Sequence, residues 1–122
     1  MYTTSKRFRF AASHILTDLP EGHPCARLHG HNYLVDLVLS SEDLDSSGFV
    51  IDYRRLDPFR CLLERRFDHR HLNDVLGGQP SEEHVAHWLF RWCLGNLEPD
   101  IVRRLMSVRV SQTPSTWAEF TP

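Results

Sequence analysis

The chain has 122 residues, of which 41% are hydrophobic and 25% are charged, as is ordinary for one small globular domain with a single core. Its formal net charge is −2, from 14 basic and 16 acidic residues, and this balance gives no basic excess to indicate a nucleic-acid partner. No apolar run approaches the roughly 18 residues that a membrane span needs, and three cysteines that are odd in number and far apart favour a reducing cytoplasm over a disulfide framework.

The first half of the chain predicts strands separated by polar turns. Residues 5–13 alternate between apolar and polar side chains, which indicates a strand with one buried face. Residues 17–27 are rich in aspartate, proline and glycine and predict a loop. Residues 31–40 predict a second strand. After a polar turn at 43–48, the apolar residues 49–51 predict a short further strand.

The second half predicts two helices followed by two strands. Asp57-Pro58 is typical of a helix start, and that helix is predicted to end near Arg66. Ser81 is the predicted N-cap of a second helix with two acids in its first turn. Residues 106–112 and 116–120 predict the last two strands. The order favours an α+β fold, with an antiparallel four-stranded sheet and two helices on one face, as a single domain over residues 1–122.

Three histidines form the most informative pattern of the sequence. His29 and His31 are two residues apart, so on a strand their side chains point to the same face. His14 ends the first predicted strand. Three imidazoles with an open fourth position are the usual ligands of a catalytic zinc, which favours Zn²⁺ as the cofactor. The alternative interpretation is that these histidines are hydrogen-bonded residues of the sheet.

Two further positions are candidates for proton transfer. Cys25 lies in the predicted loop rather than in an apolar stripe, and a nearby metal would lower the pKa of its thiol and make it a base or nucleophile. The alternative is a small buried hydrophobic residue. Asp68 precedes His69, and an adjacent carboxylate can orient a histidine as a general base. The alternative is a solvated turn.

Several segments together resemble the 6-pyruvoyl-tetrahydropterin synthase family. They span nearly the whole chain in order, and they are FRFAASH (8–14), EGHPCARLHGH (21–31), GFVIDY (48–53), DHRHLN (68–73) and PSEEHVA (80–86). The bacterial branch of this family includes 6-carboxy-5,6,7,8-tetrahydropterin synthase of the queuosine pathway. The short loop between Glu21 and Leu28 resembles that branch more than the animal pyruvoyl branch.

The resemblance implies roles for the candidate residues and an assembly. The positions that correspond to the zinc ligands are His14, His29 and His31. The position of the catalytic thiol is Cys25, and its proton-handling partners are Asp68 and His69. The family has a tunnelling fold, in which the sheets of several subunits form a barrel. Its active sites lie between the subunits of a homohexamer built from two trimers, so Cys25 and the Asp68–His69 pair need not meet within one chain.

The resemblance also implies a substrate and a reaction. The family substrate is 7,8-dihydroneopterin triphosphate, a small pterin, whose side-chain hydroxyls zinc binds. In the carboxytetrahydropterin branch triphosphate leaves and the side chain is cleaved with release of acetaldehyde. In the pyruvoyl branch triphosphate is eliminated and the side chain is kept. The resemblance therefore implies a lyase and leaves open which of the two reactions it catalyses.

One position departs from the family pattern. Where the family has a glutamate followed by threonine that binds the pterin ring, this chain has Gln112 followed by Thr113. A carboxylate accepts hydrogen bonds from both the ring N–H and the exocyclic amine, whereas glutamine offers one acceptor and one donor. The lost charge-assisted bond is worth about 1.5–3 kcal/mol. Three interpretations stay open: a weaker grip or a compensating acid such as Glu119, a different ring preference, or a paralogue with little turnover.

Overall fold

A five-stranded mixed sheet and four α-helices form the framework of the protein in a computed structural model that describes residues 1–122. The strands are β1 (Tyr2–His14), β2 (His29–Ser41), β3 (Arg70–His71), β4 (Leu105–Thr113) and β5 (Thr116–Phe120). The helices are α1 (Asp57–Leu62), α2 (Leu72–Val75), α3 (Glu82–Asn96) and α4 (Pro99–Arg104). The strand order is β3-β1-β2-β4-β5, and every neighbouring pair is antiparallel except β1 and β3.

The hydrophobic core lies between one face of the sheet and the helices. On β2 the side chains of Tyr33, Val35 and Leu37 are fully buried, while the residues between them are exposed in part, which is the alternation of a strand covered on one side. From α3, Val85 and Leu89 are fully buried in the same core. The capping prediction is confirmed, because the Ser81 side chain accepts a hydrogen bond from the His84 N–H at 3.2 Å.

The predicted fold class is correct, but the predicted sheet and helix count are wrong. The sheet has five strands and is mixed, because β3 adds to β1 in parallel. There are four helices instead of the two predicted, and the two that were not predicted are α2 and α4. Strand β3 has two residues and α2 has four, which is too short for any periodicity to show in sequence. The start of α4 did carry a signal, Pro99 in its first turn.

The predicted strand at residues 49–51 is also wrong. The Asp45 carboxylate accepts hydrogen bonds from the backbone N–H groups of Ser47 and Phe49, each at 2.9 Å. The Asp45 N–H donates to the Phe49 carbonyl at 2.9 Å. These bonds form a turn that the Asp45 side chain stabilises. The backbone groups of Phe49 are therefore not available to pair with a neighbouring strand.

The predicted assembly of several subunits into a barrel stays a prediction. No helix of the chain is both long enough and apolar enough to cross a membrane.

Candidate active site

The pairing of β1 with β2 brings the three predicted histidines together. His14 lies directly opposite His29, and Ala12 lies opposite His31, so all three imidazoles share the helix-covered face at one end of the sheet. The ring centroids are 4.4 Å apart for His14 and His29, 5.0 Å for His14 and His31, and 4.8 Å for His29 and His31. One nitrogen from each ring lies within 4.8 Å of the other two. The three rings could therefore hold one metal ion.

Backbone carbonyls orient two of these rings. The Nδ1 of His14 lies 2.8 Å from the Pro80 carbonyl oxygen, with the Tyr33 hydroxyl 3.3 Å from the same nitrogen. The Nδ1 of His29 lies 2.6 Å from the Arg27 carbonyl oxygen. A carbonyl can only accept, so each Nδ1 carries the proton and each Nε2 keeps its lone pair. The two Nε2 atoms lie 2.8 Å apart, which suits two ligands of one cation.

The third ring completes the donor set. The Nε2 of His31 is buried and has no hydrogen-bond partner, which is costly unless an ion or ligand satisfies it. Burial lowers the pKa of both His14 and His31, and the neighbouring imidazoles lower it further. The neutral form of each ring is therefore favoured, and the neutral imidazole is the form that binds a metal.

Asp68 and His69 form the second predicted cluster. The Nδ1 of His69 lies 3.0 Å from Asp68 Oδ2, while Asp68 Oδ1 accepts the Ala11 N–H at 2.9 Å. The Ala11 N–H, followed by the His69 ring, lowers the pKa of the Asp68 carboxyl and keeps it ionised. His69 has a φ of +58°, and its N–H donates to the Ala11 carbonyl at 2.6 Å. This left-handed turn holds the ring outward, 83% exposed, with Nε2 free to exchange a proton.

Cys25 makes no hydrogen bond or ion pair with either cluster within the chain. It lies in a short helical turn, Pro24–Ala26, where its carbonyl accepts the Leu16 N–H at 3.1 Å. Its side chain is half-buried, and its Sγ makes no hydrogen bond. The structure therefore brings the three histidines together and Asp68 to His69, but no hydrogen bond or ion pair links Cys25 to either group.

Comparison with known proteins identifies the family of the chain. The profile of the 6-pyruvoyl tetrahydropterin synthase family matches residues 3–122. The chain belongs to this family. It is 35% identical over 129 aligned residues to a protein of Synechocystis sp. named 6-carboxy-5,6,7,8-tetrahydropterin synthase, an alignment that covers 98% of this chain and 93% of that one.

Two further proteins are similar to the chain at lower sequence identity. A Pyrococcus furiosus protein named dihydroneopterin monophosphate aldolase is 28% identical, over 66% of this chain and 68% of its own. The structure of the Caenorhabditis elegans 6-pyruvoyl tetrahydropterin synthase superposes with a TM-score of 0.85 at 24% identity, covering 99% of this chain and 95% of that one. The second likeness shows that the fold is shared.

Two amide side chains in this member of the 6-pyruvoyl tetrahydropterin synthase family fix the chain that follows His14. Asn73 accepts the Ile15 N–H at 2.9 Å and donates to the Ile15 carbonyl at 2.8 Å. Gln79 does the same for Thr17, at 2.7 and 2.8 Å. Asn73 lies on α2 and Gln79 lies in the loop that precedes α3, so the two amides tie the chain after β1 to both segments. The same loop supplies the Pro80 carbonyl that orients His14.

Gln112, the departure from the family pattern, lies beside the histidine cluster. Its backbone partly offsets the lowering of the His31 pKa by burial, which places Gln112 near that ring. Its side-chain Oε1 is buried and has no partner. The position predicted to bind the pterin ring therefore adjoins the candidate metal centre.

Four residues around the candidate site were not predicted from the sequence to contribute to it: Tyr33, Asn73, Gln79 and Glu82. Tyr33 had a signal, because it is two residues beyond His31 and must share its face. The other three act across packed elements that are far apart in sequence, at separations of 58 residues for Asn73 with Ile15 and 34 for Glu82 with Thr116. No local pattern encodes such contacts.

Metal content tests the histidine cluster. We expect His29→Ala to lower affinity for a divalent metal by at least about a hundredfold, because one of three protein ligands is lost. The metal bound after dialysis is measured by mass spectrometry. His87→Ala is the matched control, because His87 is exposed on α3 and stacks on Phe120. Unchanged metal content in His29→Ala would show that these rings are only sheet residues.

Proposed function

We propose that the protein is a zinc-dependent 6-carboxy-5,6,7,8-tetrahydropterin synthase. It converts 7,8-dihydroneopterin triphosphate and one water molecule to 6-carboxytetrahydropterin, acetaldehyde and triphosphate. The observation that carries this proposal is the convergence of His14, His29 and His31 on one open position. It is supported by family membership and by the relative from Synechocystis sp. that bears this name. The product would serve queuosine or other 7-deazapurine biosynthesis, and three free thiols are compatible with the cytoplasm.

Zinc is the metal that suits the donor set. The cluster offers three imidazole nitrogens and no carboxylate or thiolate, which is the ligand set of catalytic zinc with its fourth position open. When bound, zinc polarises the side-chain hydroxyls of the substrate and lowers their pKa. The carbonyls of Pro80 and Arg27 hold two of the rings in the tautomer that this role requires.

Proton transfer falls to Cys25 and His69. The Asp68 carboxylate holds Nδ1 of His69, so Nε2 gives and receives the proton and the carboxylate stabilises the imidazolium that forms. Cys25 exchanges a proton with the substrate from the loop that leads into β2. These two groups move protons between the pterin ring and its side chain, which permits triphosphate to leave and the side chain to be cleaved.

The site is completed by a second subunit in this proposal. No hydrogen bond or ion pair within the chain joins Cys25 to Asp68 or His69. A homo-oligomer, as a hexamer of two trimers, would bring Cys25 of one chain to the Asp68–His69 pair of another. The edge strands β3 and β5 leave the two sides of the sheet unpaired within one chain, and pairing between chains would close the barrel.

Product analysis tests the proposed reaction. We expect zinc-loaded protein incubated with 7,8-dihydroneopterin triphosphate to release 6-carboxytetrahydropterin and acetaldehyde, both measured by mass spectrometry. Formation of 6-pyruvoyl-tetrahydropterin would assign the chain to the other branch, in which the side chain is kept. Unchanged substrate with zinc bound would contradict the proposed reaction and favour a paralogue with another ring preference or little turnover.

Mixed subunits test the shared site. We expect Cys25→Ala and His69→Ala each to lower turnover by at least about a hundredfold, because each removes a proton-transfer group, with zinc content unchanged. When the two variants are unfolded together and reassembled, about a quarter of the sites should regain both groups. Cys61→Ala is the control, since Cys61 lies half-buried on α1. A mixture as inactive as its components would contradict a site shared between subunits.

A further inference from the structure

Gln112 leaves the ring-binding region short of one negative charge. A pterin ring presents a ring N–H beside an exocyclic amine, and two adjacent donors are best met by two acceptors, one of them charged. Gln112 Oε1 can serve as one acceptor, and it is buried without a partner. The second acceptor, and the charge, must come from another residue.

Glu82 places a carboxylate next to Gln112. It is the first residue of α3, a helix that packs on β4 and β5, and the N-terminus of a helix favours negative charge. Its Oε1 accepts a hydrogen bond from the Thr116 hydroxyl at 3.2 Å, and Thr116 pairs with Thr113, the chain neighbour of Gln112. The Gln112 backbone also lowers the pKa of the Glu82 carboxyl. Its Oε2 is buried and has no partner. Two buried acceptor oxygens without donors therefore belong to residues that the Thr113–Thr116 pair brings into the same region.

An unsatisfied carboxylate oxygen in this position is costly for the free protein. Burial raises the pKa of Glu82, while the bond from Thr116 lowers it. A ligand that brings two N–H donors would relieve this cost, since buried charged acceptors are stable only when hydrogen-bonded.

We propose that Glu82 supplies the carboxylate that binds the donor edge of the pterin ring in this protein, with Gln112 Oε1 as the second acceptor. The inference rests on the proposed function and assigns the specificity of the same site. The acid has moved from the strand to the neighbouring helix. The ring edge that it selects is an N–H beside an amine.

Glu119, the other candidate acid, is already engaged. Its Oε1 accepts a hydrogen bond from the Ser107 hydroxyl at 2.7 Å, and the guanidinium of Arg109 lies 3.5 Å away. Its charge is therefore balanced within the sheet, and binding a ring would first require breaking these contacts. Glu82 has no cation within ion-pair distance.

The test uses binding of unsubstituted pterin, which has no side chain to react, to the zinc-loaded protein by fluorescence. We expect Glu82→Gln to weaken pterin binding about 10-fold to 100-fold, because one charge-assisted acceptor is lost and the shape is kept. Glu119→Gln is the matched control, a change of the same kind at the alternative acid, and should alter binding by less than about twofold. Zinc content should be unchanged in both.

Two further readouts separate ring recognition from a structural role of Glu82. Lumazine has a carbonyl in place of the exocyclic amine, so we expect wild type to prefer pterin over lumazine and Glu82→Gln to lose that preference. The double variant Glu82→Gln with Gln112→Glu returns a carboxylate to β4, and we expect it to restore pterin binding. If Glu82 has only a structural role, Glu82→Gln should keep the preference for pterin over lumazine, and adding Gln112→Glu should not restore binding.

The failures of the two proposals can be told apart. If wild type binds pterin and Glu82→Gln binds it equally well, Glu82 does not contact the ring, while the proposed reaction stands. If Glu119→Gln loses binding instead, the compensating acid is Glu119 and the assignment to Glu82 is wrong. If zinc-loaded wild type binds no pterin at all, the proposed function and the role of Glu82 fail together.

Discussion

The register between β1 and β2 is the constraint on which the site depends. His14 faces His29 and Ala12 faces His31, so three imidazoles converge only in this pairing. A slip of one residue would turn every side chain of one strand to the opposite face and would send its histidines away from the core. Alternating buried residues along both strands fix the register, because a slip would also expose Phe10 and its neighbours. The packing of the core therefore also positions the candidate metal ligands.

The loop before α3 couples the helix layer to this end of the sheet. The Pro80 carbonyl accepts a hydrogen bond from His14, and the Gln79 side chain accepts one from the Thr17 N–H. The same few residues therefore orient the candidate metal ligand His14 and fix the chain that follows it. Glu82, two residues after Pro80, contacts β5 through its hydrogen bond with Thr116. One short segment therefore contacts both the candidate metal centre and the candidate ring-binding residues. An acid on this helix can consequently take over from an acid on the adjacent strand without a change of fold.

The sequence alone predicted the α+β class, the long strands and the histidine cluster, because alternation and two-residue spacing are local patterns. It also predicted the contact between Asp68 and His69, which are adjacent. It did not predict the two-residue strand Arg70–His71 or the single-turn helix after it, since neither is long enough to have a period. Glu82 was missed because its partners lie on β4 and β5, and only the packing of α3 on those strands brings them together. Tertiary contacts of this kind carry no signature in the segment itself.

The coordination of bound zinc tests the central claim most directly, since that claim places three imidazoles at the metal and leaves Cys25 free for proton transfer. X-ray absorption at the zinc edge of the loaded protein reports the ligand atoms and their distances. We expect nitrogen and oxygen neighbours at about 2.0–2.1 Å, with the outer scattering of three imidazole rings and no sulfur. A sulfur neighbour at about 2.3 Å would make Cys25 a ligand and would exclude its role in proton transfer.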